Sequence, residues 1–207
     1  MPTEGVDYSY DRPSPSGLSD YGAKFAVRYL SYNDDKNMSK SEVGKLNDAG
    51  LFVVSNWENE SGDALKGRDS GATFATEADR LHRAAGGGDD RPIYFSVDFD
   101  ATADQLSTCY AYLEGAASVI GKERVGVYGG RRVVDYMAGK GIQWLWQTYA
   151  WSGFPSESAR KDPDDPHWRQ GLSMQQYDNN VTIAGGACDR DRAMSDDYGQ
   201  WKIADAG

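Results

Sequence analysis

The stretch from Pro92 to Ala101, Pro-Ile-Tyr-Phe-Ser-Val-Asp-Phe-Asp-Ala, constrains the fold more than any other part of the chain. It alternates apolar and polar residues, and successive side chains on a strand point to opposite faces. Ile93, Phe95, Val97 and Phe99 therefore share one face, and Tyr94, Ser96, Asp98 and Asp100 the other. An apolar face packed on helices, with a polar face turned inward and acids at the C-terminal end, is the pattern of a strand in a (β/α) barrel with its active site at that end. Two carboxylates two residues apart on a strand have Cα atoms about 6.6 Å apart, from a rise of about 3.3 Å per residue. That spacing is compatible with a pair flanking a glycosidic bond. A polar strand end or a cation site would be written with the same residues.

Composition narrows the setting. A chain of 207 residues fits one domain with a substantial core, and residues 1–207 are assigned to a single domain. The net charge of −10 argues against a nucleic-acid partner. No apolar run approaches the roughly 18 residues of a membrane span. The first residues, MPTEGVDYSY, lack a basic start followed by an apolar core, so no secretory signal is expected in this chain. Such a protein would act at the cell envelope if released by another route, or as part of a phage particle. Cys109 and Cys188 are far apart in unrelated contexts, and His82 and His167 have no partner motif. No metal and no cofactor are expected, and a monomer is the simplest state.

The rest of the chain alternates strands with helices, as a parallel sheet with crossover helices does. Gly5–Ser9 reads as a first strand ending near Asp7, followed by a loop over 11–17. Phe25–Tyr32 reads as a second strand, with Arg28 on the face opposite Phe25, Val27 and Tyr29. If that face is the interior, Arg28 needs an acidic partner there, and pairing with one of the site acids is expected. Ser39 and Glu42 form a capping pattern for a helix that Gly50 ends. Leu51–Glu58 is a third strand with Asn56 and Glu58 on one face, and Glu58 a further candidate acid. A Gly-rich loop over 59–73, a helix over 73–85, the Pro92 strand and a helix over 102–120 follow. Val125–Gly130 is a fifth strand, and 132–138 a short helix. Strands at 144–149, 173–177 and 187–191 then follow without room for ordinary helices, separated by a long loop over 154–171 and by turns around Val181–Ile183. The segment 195–207 is expected on the surface.

Taken in order, Gly5-Val6-Asp7-Tyr8-Ser9, Asp98-Phe99-Asp100, Val127-Tyr128-Gly129-Gly130, Gln176-Tyr177 and Asp189-Arg190-Asp191 carry a resemblance. The set resembles the glycoside hydrolase family 25 lysozymes. It resembles more closely a glycoside-hydrolase-like family of actinobacteria and their phages, once classed as a domain of unknown function. The resemblance spans roughly residues 5–201 and implies a TIM-like α/β barrel of the (β/α)5(β)3 variety. In the lysozymes the fourth strand carries Asp-x-Glu, the Glu acting as general acid and the Asp assisting. This implies catalytic roles for Asp98 and Asp100, with Asp7 and Asp189 lining the same cleft. Asp100 stands where the lysozymes have Glu, one methylene longer, so its proton would be presented from a different place.

Four acids gathered in one place cannot all ionise cheaply, which is one way a site keeps an acid protonated near neutral pH. Asp100 is assigned as general acid and Asp98 as base or orienting group, with the substrate's own acetamido oxygen a possible nucleophile. Tyr8, Tyr128, Trp146, Gln147, Tyr149 and Gln176 are candidates for binding sugar, because pyranose rings pack on aromatic faces and amides read hydroxyls. The expected partner is a polysaccharide, peptidoglycan or a related envelope glycan. The expected activity is lysozyme-like hydrolysis, as in a phage lysin. A catalytically silent, glycan-binding barrel is the alternative, and a divalent-metal hydrolase ranks last because no histidine joins the acids.

Overall fold

The structure is a computed structural model, and it describes residues 2–203. Eight strands close into one barrel in sequence order. They are β1 (Thr3–Tyr8), β2 (Phe25–Leu30), β3 (Phe52–Trp57), β4 (Ile93–Ser96), β5 (Val125–Gly129), β6 (Trp144–Thr148), β7 (Met174–Ile183) and β8 (Gly186–Ala193). The helices are α1 (Pro15–Tyr21), α2 (Lys40–Asp48), α3 (Gly67–Ala84), α4 (Leu106–Ile120), α5 (Arg131–Gly139) and the short α6 (Glu157–Lys161). Pairing is parallel from β1 to β7, and β8 runs antiparallel to both neighbours. A full-length helix is missing after β6 and β7, so this is the TIM-like (β/α)5(β)3 barrel. The reversal of β8 matters for function. It brings the first half of that strand, with Asp189, to the mouth where the parallel strands end.

The two faces of each strand feed two separate cores. Ile93, Phe95 and Val97 pack outward with Val6, Trp57, Val127 and the helices, whereas Tyr94 packs inside with Phe25, Val27, Val54, Tyr128, Trp146 and Met174. The alternation read from the Pro92 stretch therefore holds through Ser96. Gly5 leaves room for this interior, because a Cβ there would lie 2.3 Å from the Phe25 ring. Outside, α3 and α4 approach closely across Gly71 and Gly115, where an added Cβ would sit 1.9 Å from the carbonyls of Tyr112 and Arg68.

Several boundaries differ from the sequence reading. Residues 11–17 are only partly loop: Ser14 caps α1, its Oγ accepting from Gly17 N–H, and Pro15 takes the first turn, where a missing N–H costs nothing. The helix expected at 73–85 begins at Gly67, so much of the Gly-rich loop is helical. β7 runs through residues 178–183 with irregular register instead of turning. The segment from Ser195 is not a surface tail over its described length. Tyr198 enters the interior core beside Phe25 and accepts the Tyr94 hydroxyl at its carbonyl, and Trp201 pairs its backbone with Val53. It plugs the end of the barrel opposite the mouth. Residues 204–207, part of that expected tail, lie outside the described residues, as does Met1 of the assigned domain.

Arg28 requires a correction. It is fully buried, but on the outer face with Ala26 and Leu30, because Phe25, Val27 and Tyr29 take the interior. Its Nε donates to Glu42 Oε1 of α2 at 2.7 Å, and its guanidinium lies 4.2 Å from the Tyr8 ring centroid. The buried charge does find an acid, but through the wall rather than in the mouth.

Candidate active site

Each strand end delivers its inward side chain to one cluster. Asp7 comes from β1, and its inward position follows from Gly5 two residues earlier. Its Oδ1 accepts the Tyr29 hydroxyl at 2.9 Å, and its Oδ2 accepts Gln176 Nε2 at 2.7 Å. Gln176 also donates to Asp189 Oδ2 at 3.2 Å, while its carbonyl accepts Tyr128 and Thr148 hydroxyls at 2.8 Å each. One amide thus uses both ends to lock two acids against β5 and β6. Asp189 Oδ1 accepts the backbone N–H of Asn180 at 2.8 Å. Asn180 supplies that bond from a left-handed conformation (φ 57°), which Asn tolerates better than most residues.

Asp98 lies beyond the end of β4, close enough in charge to interact with Asp7 and Asp189. Glu58, directly after β3, belongs to the same group and interacts with Asp98 and Asp7. It is held by the buried Lys36, whose Nζ is 2.5 Å from Glu58 Oε1. Below them Asn56 and Ser96 bond to one another at 3.0 Å.

Burial dominates the electrostatics. It pushes the Asp7 carboxyl upward, against the hydrogen bond from Gln176. Burial, then the Asp7 charge, pushes Asp189 up to about 8. Asp98 is raised by burial and by Asp7, with Lys36 pulling the other way. Glu58 is raised by burial, again opposed by Lys36. A cluster with this arrangement holds at least one proton at neutral pH and can therefore act as an acid.

The structure separates the sequence candidates. Asp7, Asp98, Asp189 and Glu58 share the mouth, with Tyr128 and Gln176 bonded into it. Asp100 does not join them: β4 ends at Ser96, so alternation no longer carries Asp100 to the face of Asp98. Its side chain is 67% exposed, with Oδ1 3.5 Å from Arg132 Nη1. Tyr8 points outward and donates to Glu42 at 3.2 Å, so it is part of the α2 packing rather than a sugar platform. Gln147 also points outward, its amide bonded to Ser152, the His167 carbonyl and the Arg169 N–H. Trp146 is fully buried inside the barrel and presents no face to a ligand. Tyr149 is half-buried at the end of β6, under the Arg160 guanidinium at 4.1 Å.

Two members of the site carried no assignment from the sequence. Asp191 sits two residues beyond Asp189 on the same face, fully buried, with Oδ1 accepting Trp146 Nε1 at 2.9 Å. Its carboxyl is raised well above the usual range by burial and then by the Asp7 charge. Alternation from Asp189 would have found it. Lys36 lies in the β2–α2 connection, where no periodicity could point to it. Among the described residues, no group of three or more His, Cys, Asp or Glu side chains is arranged to hold a metal ion.

A closed eight-strand barrel with an antiparallel last strand and buried acids at its mouth has the design of a glycoside-hydrolase-like domain. The family model for the Rv2525c-like, glycoside hydrolase-like domain matches residues 16–194, and the chain belongs to that family. It is 29% identical over 208 residues to a Mycobacterium tuberculosis protein named "Putative peptidoglycan hydrolase Rv2525c", covering 95% of this chain and 82% of that protein. The crystal structure of the M. tuberculosis Tat-secreted protein Rv2525c in complex with L-tartrate superposes with a TM-score of 0.85 at 27% identity, covering 96% of this chain and 98% of that one. The bacterial lysozyme from Streptomyces coelicolor shares the fold at a TM-score of 0.63 and 12% identity, over 94% of this chain and 93% of the other.

Proposed function

We propose that this chain hydrolyses glycosidic bonds of peptidoglycan or a related envelope glycan at the acid cluster in the barrel mouth. The observation that carries the reading is Asp189, a partly exposed carboxyl pushed up to about 8, beside Asp98, which interacts with a lysine. Glycoside hydrolysis needs a protonated acid at the leaving oxygen and a carboxylate at the sugar or at its activating group. In this reading Asp189 protonates the leaving oxygen. Asp98, as carboxylate, orients either a water or the acetamido oxygen of an N-acetylated sugar. Asp7, fixed by Tyr29 and Gln176, sets the field between them. The acid role expected of Asp100 passes to Asp189, because a general acid must reach the scissile bond and hold its proton at the working pH. Asp100 and Arg132 are left to contact substrate at the rim.

The relative named for peptidoglycan hydrolysis supports the substrate class, and the Tat-secreted relative supports action at the cell envelope rather than in a phage particle. The chain acts as a monomer in this reading, since every acid of the cluster comes from one barrel.

One observation favours a second reading, a barrel that binds glycan without cutting it: the exposed position of Asp100, where the lysozymes have their acid. Dye release from stained, purified cell walls tests the choice. Hydrolysis predicts release by the wild type and a loss of roughly 10²–10⁴-fold in Asp98→Asn and Asp189→Asn. Binding to walls with no release by the wild type would establish the silent barrel.

A further inference from the structure

Lys36 is the one lysine brought into ion-pair contact with the acid cluster among the described residues. It is 6% exposed, anchored in its loop by its backbone N–H to the Asn33 carbonyl at 3.0 Å. Its ammonium meets Glu58 at 2.5 Å and lies 5.1 Å from the Tyr29 ring centroid. The groups that face it are therefore Glu58 after β3, Asp98 after β4 and Tyr29 on β2, with Asp7 of β1 behind the Tyr29 hydroxyl. The other side of the mouth is different. Among the described residues, Asp7, Asp189 and Asp191 form no ion pair. Arg28, which acts on Asp7 from beyond the wall, is committed to Glu42.

A buried ammonium favours ionised carboxylates near it, and enclosed acids without a cation keep their protons. We propose that Lys36 is a positioning residue that splits the cluster into two protonation classes, holding Asp98 and Glu58 as carboxylates while Asp189 and Asp191 of β8 carry the protons. The split gives the site a direction. Protons are delivered to a bound glycan from the β8 side, and the water or acetamido group is steadied from the β3–β4 side. Lys36 need not touch the substrate; it acts through Asp98 and Glu58.

The consequence for catalysis rests on the hydrolase reading, but the test does not. Carboxyl carbon NMR titration of the whole chain, without substrate, reads each acid. In the wild type, Asp98 and Glu58 are expected to titrate below Asp189. In Lys36→Met their midpoints should rise by about one pH unit, a tenfold gain in proton affinity, while Lys36→Arg keeps them near the wild-type values. Where turnover is measured, the acid limb of the pH–rate profile should move up with them and KM should change little. Unchanged Asp98 and Glu58 midpoints in folded Lys36→Met would overturn the proposal. So would a wild type in which Asp189 ionises before Asp98, a result that needs no variant to fold. A chain that cleaves no glycan yet shows the split would sink the hydrolase reading and leave this inference standing.

Discussion

Asp189 exposes a conflict between stability and chemistry that can be measured. Its carboxyl rises from 3.8 to about 8 in the fold, chiefly through burial and then the Asp7 charge. Between those two values the native chain binds a proton that the unfolded chain has released. The contribution of Asp189 to stability should therefore fall as pH rises from about 4 to about 8. A rise of about four pH units at about 1.4 kcal/mol each sets an upper bound near 6 kcal/mol. The cluster shares its protons, so part of that cost is relieved by Asp7 and Asp191, and about 2–4 kcal/mol is expected from this residue. Asp189→Asn removes the ionisation. It also turns an amide N–H toward Gln176 Nε2, which now donates to Asp189 Oδ2, and losing that bond costs about 1 kcal/mol. The ionisation effect is larger. Thermal unfolding should thus show Asp189→Asn at or slightly below wild type at pH 4 and well above it at pH 8.5, by about 2–10 °C for a domain of this size. A difference in Tm that does not change with pH would refute the assigned protonation and remove Asp189 as the acid.

Three further outcomes follow from the geometry. Asp100→Asn, at a solvent-exposed ion pair, should change activity on cell walls by less than about tenfold, against 10²–10⁴-fold for Asp98→Asn; equal losses would return the acid role to Asp100. Glu42→Ala strips the buried Arg28 of its carboxylate and should cost about 3–5 kcal/mol in denaturant unfolding, with wild-type-like stability refuting the outward pairing. Gly71→Ala forces a methyl onto the Tyr112 carbonyl between α3 and α4 and should cost about 1–3 kcal/mol, measured the same way; an unchanged midpoint would contradict the close helix approach.

The barrel was legible because period-two alternation and helical spacing survive in single segments. Ile93–Ser96 showed both of its faces, and the lack of a full-length helix after the sixth strand followed from the Pro, Asp and Ser content of residues 154–171, where only the short α6 forms. The site was legible only while strand geometry lasted. Asp7 and Asp189 lie within strands, so alternation places them. Asp100 lies past the end of β4, where the backbone leaves the pleat and the same argument puts it on the wrong face. Arg28 shows the limit in another form. Its face was read correctly as opposite to Phe25, but which face is the interior depends on closure of the whole sheet. Lys36 and the inward turn of Tyr198 depend on contacts made by chain segments with no periodic pattern.

The acids at this mouth are expected to cut a glycan, and each cut leaves a new reducing end. Mass spectrometry of the soluble fragments released from purified peptidoglycan, by the wild type and by Asp98→Asn, tests it most directly. Muropeptides with new reducing ends are expected from the wild type, growing with time, and nearly none from the variant. Fragments without new reducing ends, or equal yields from both proteins, would contradict it.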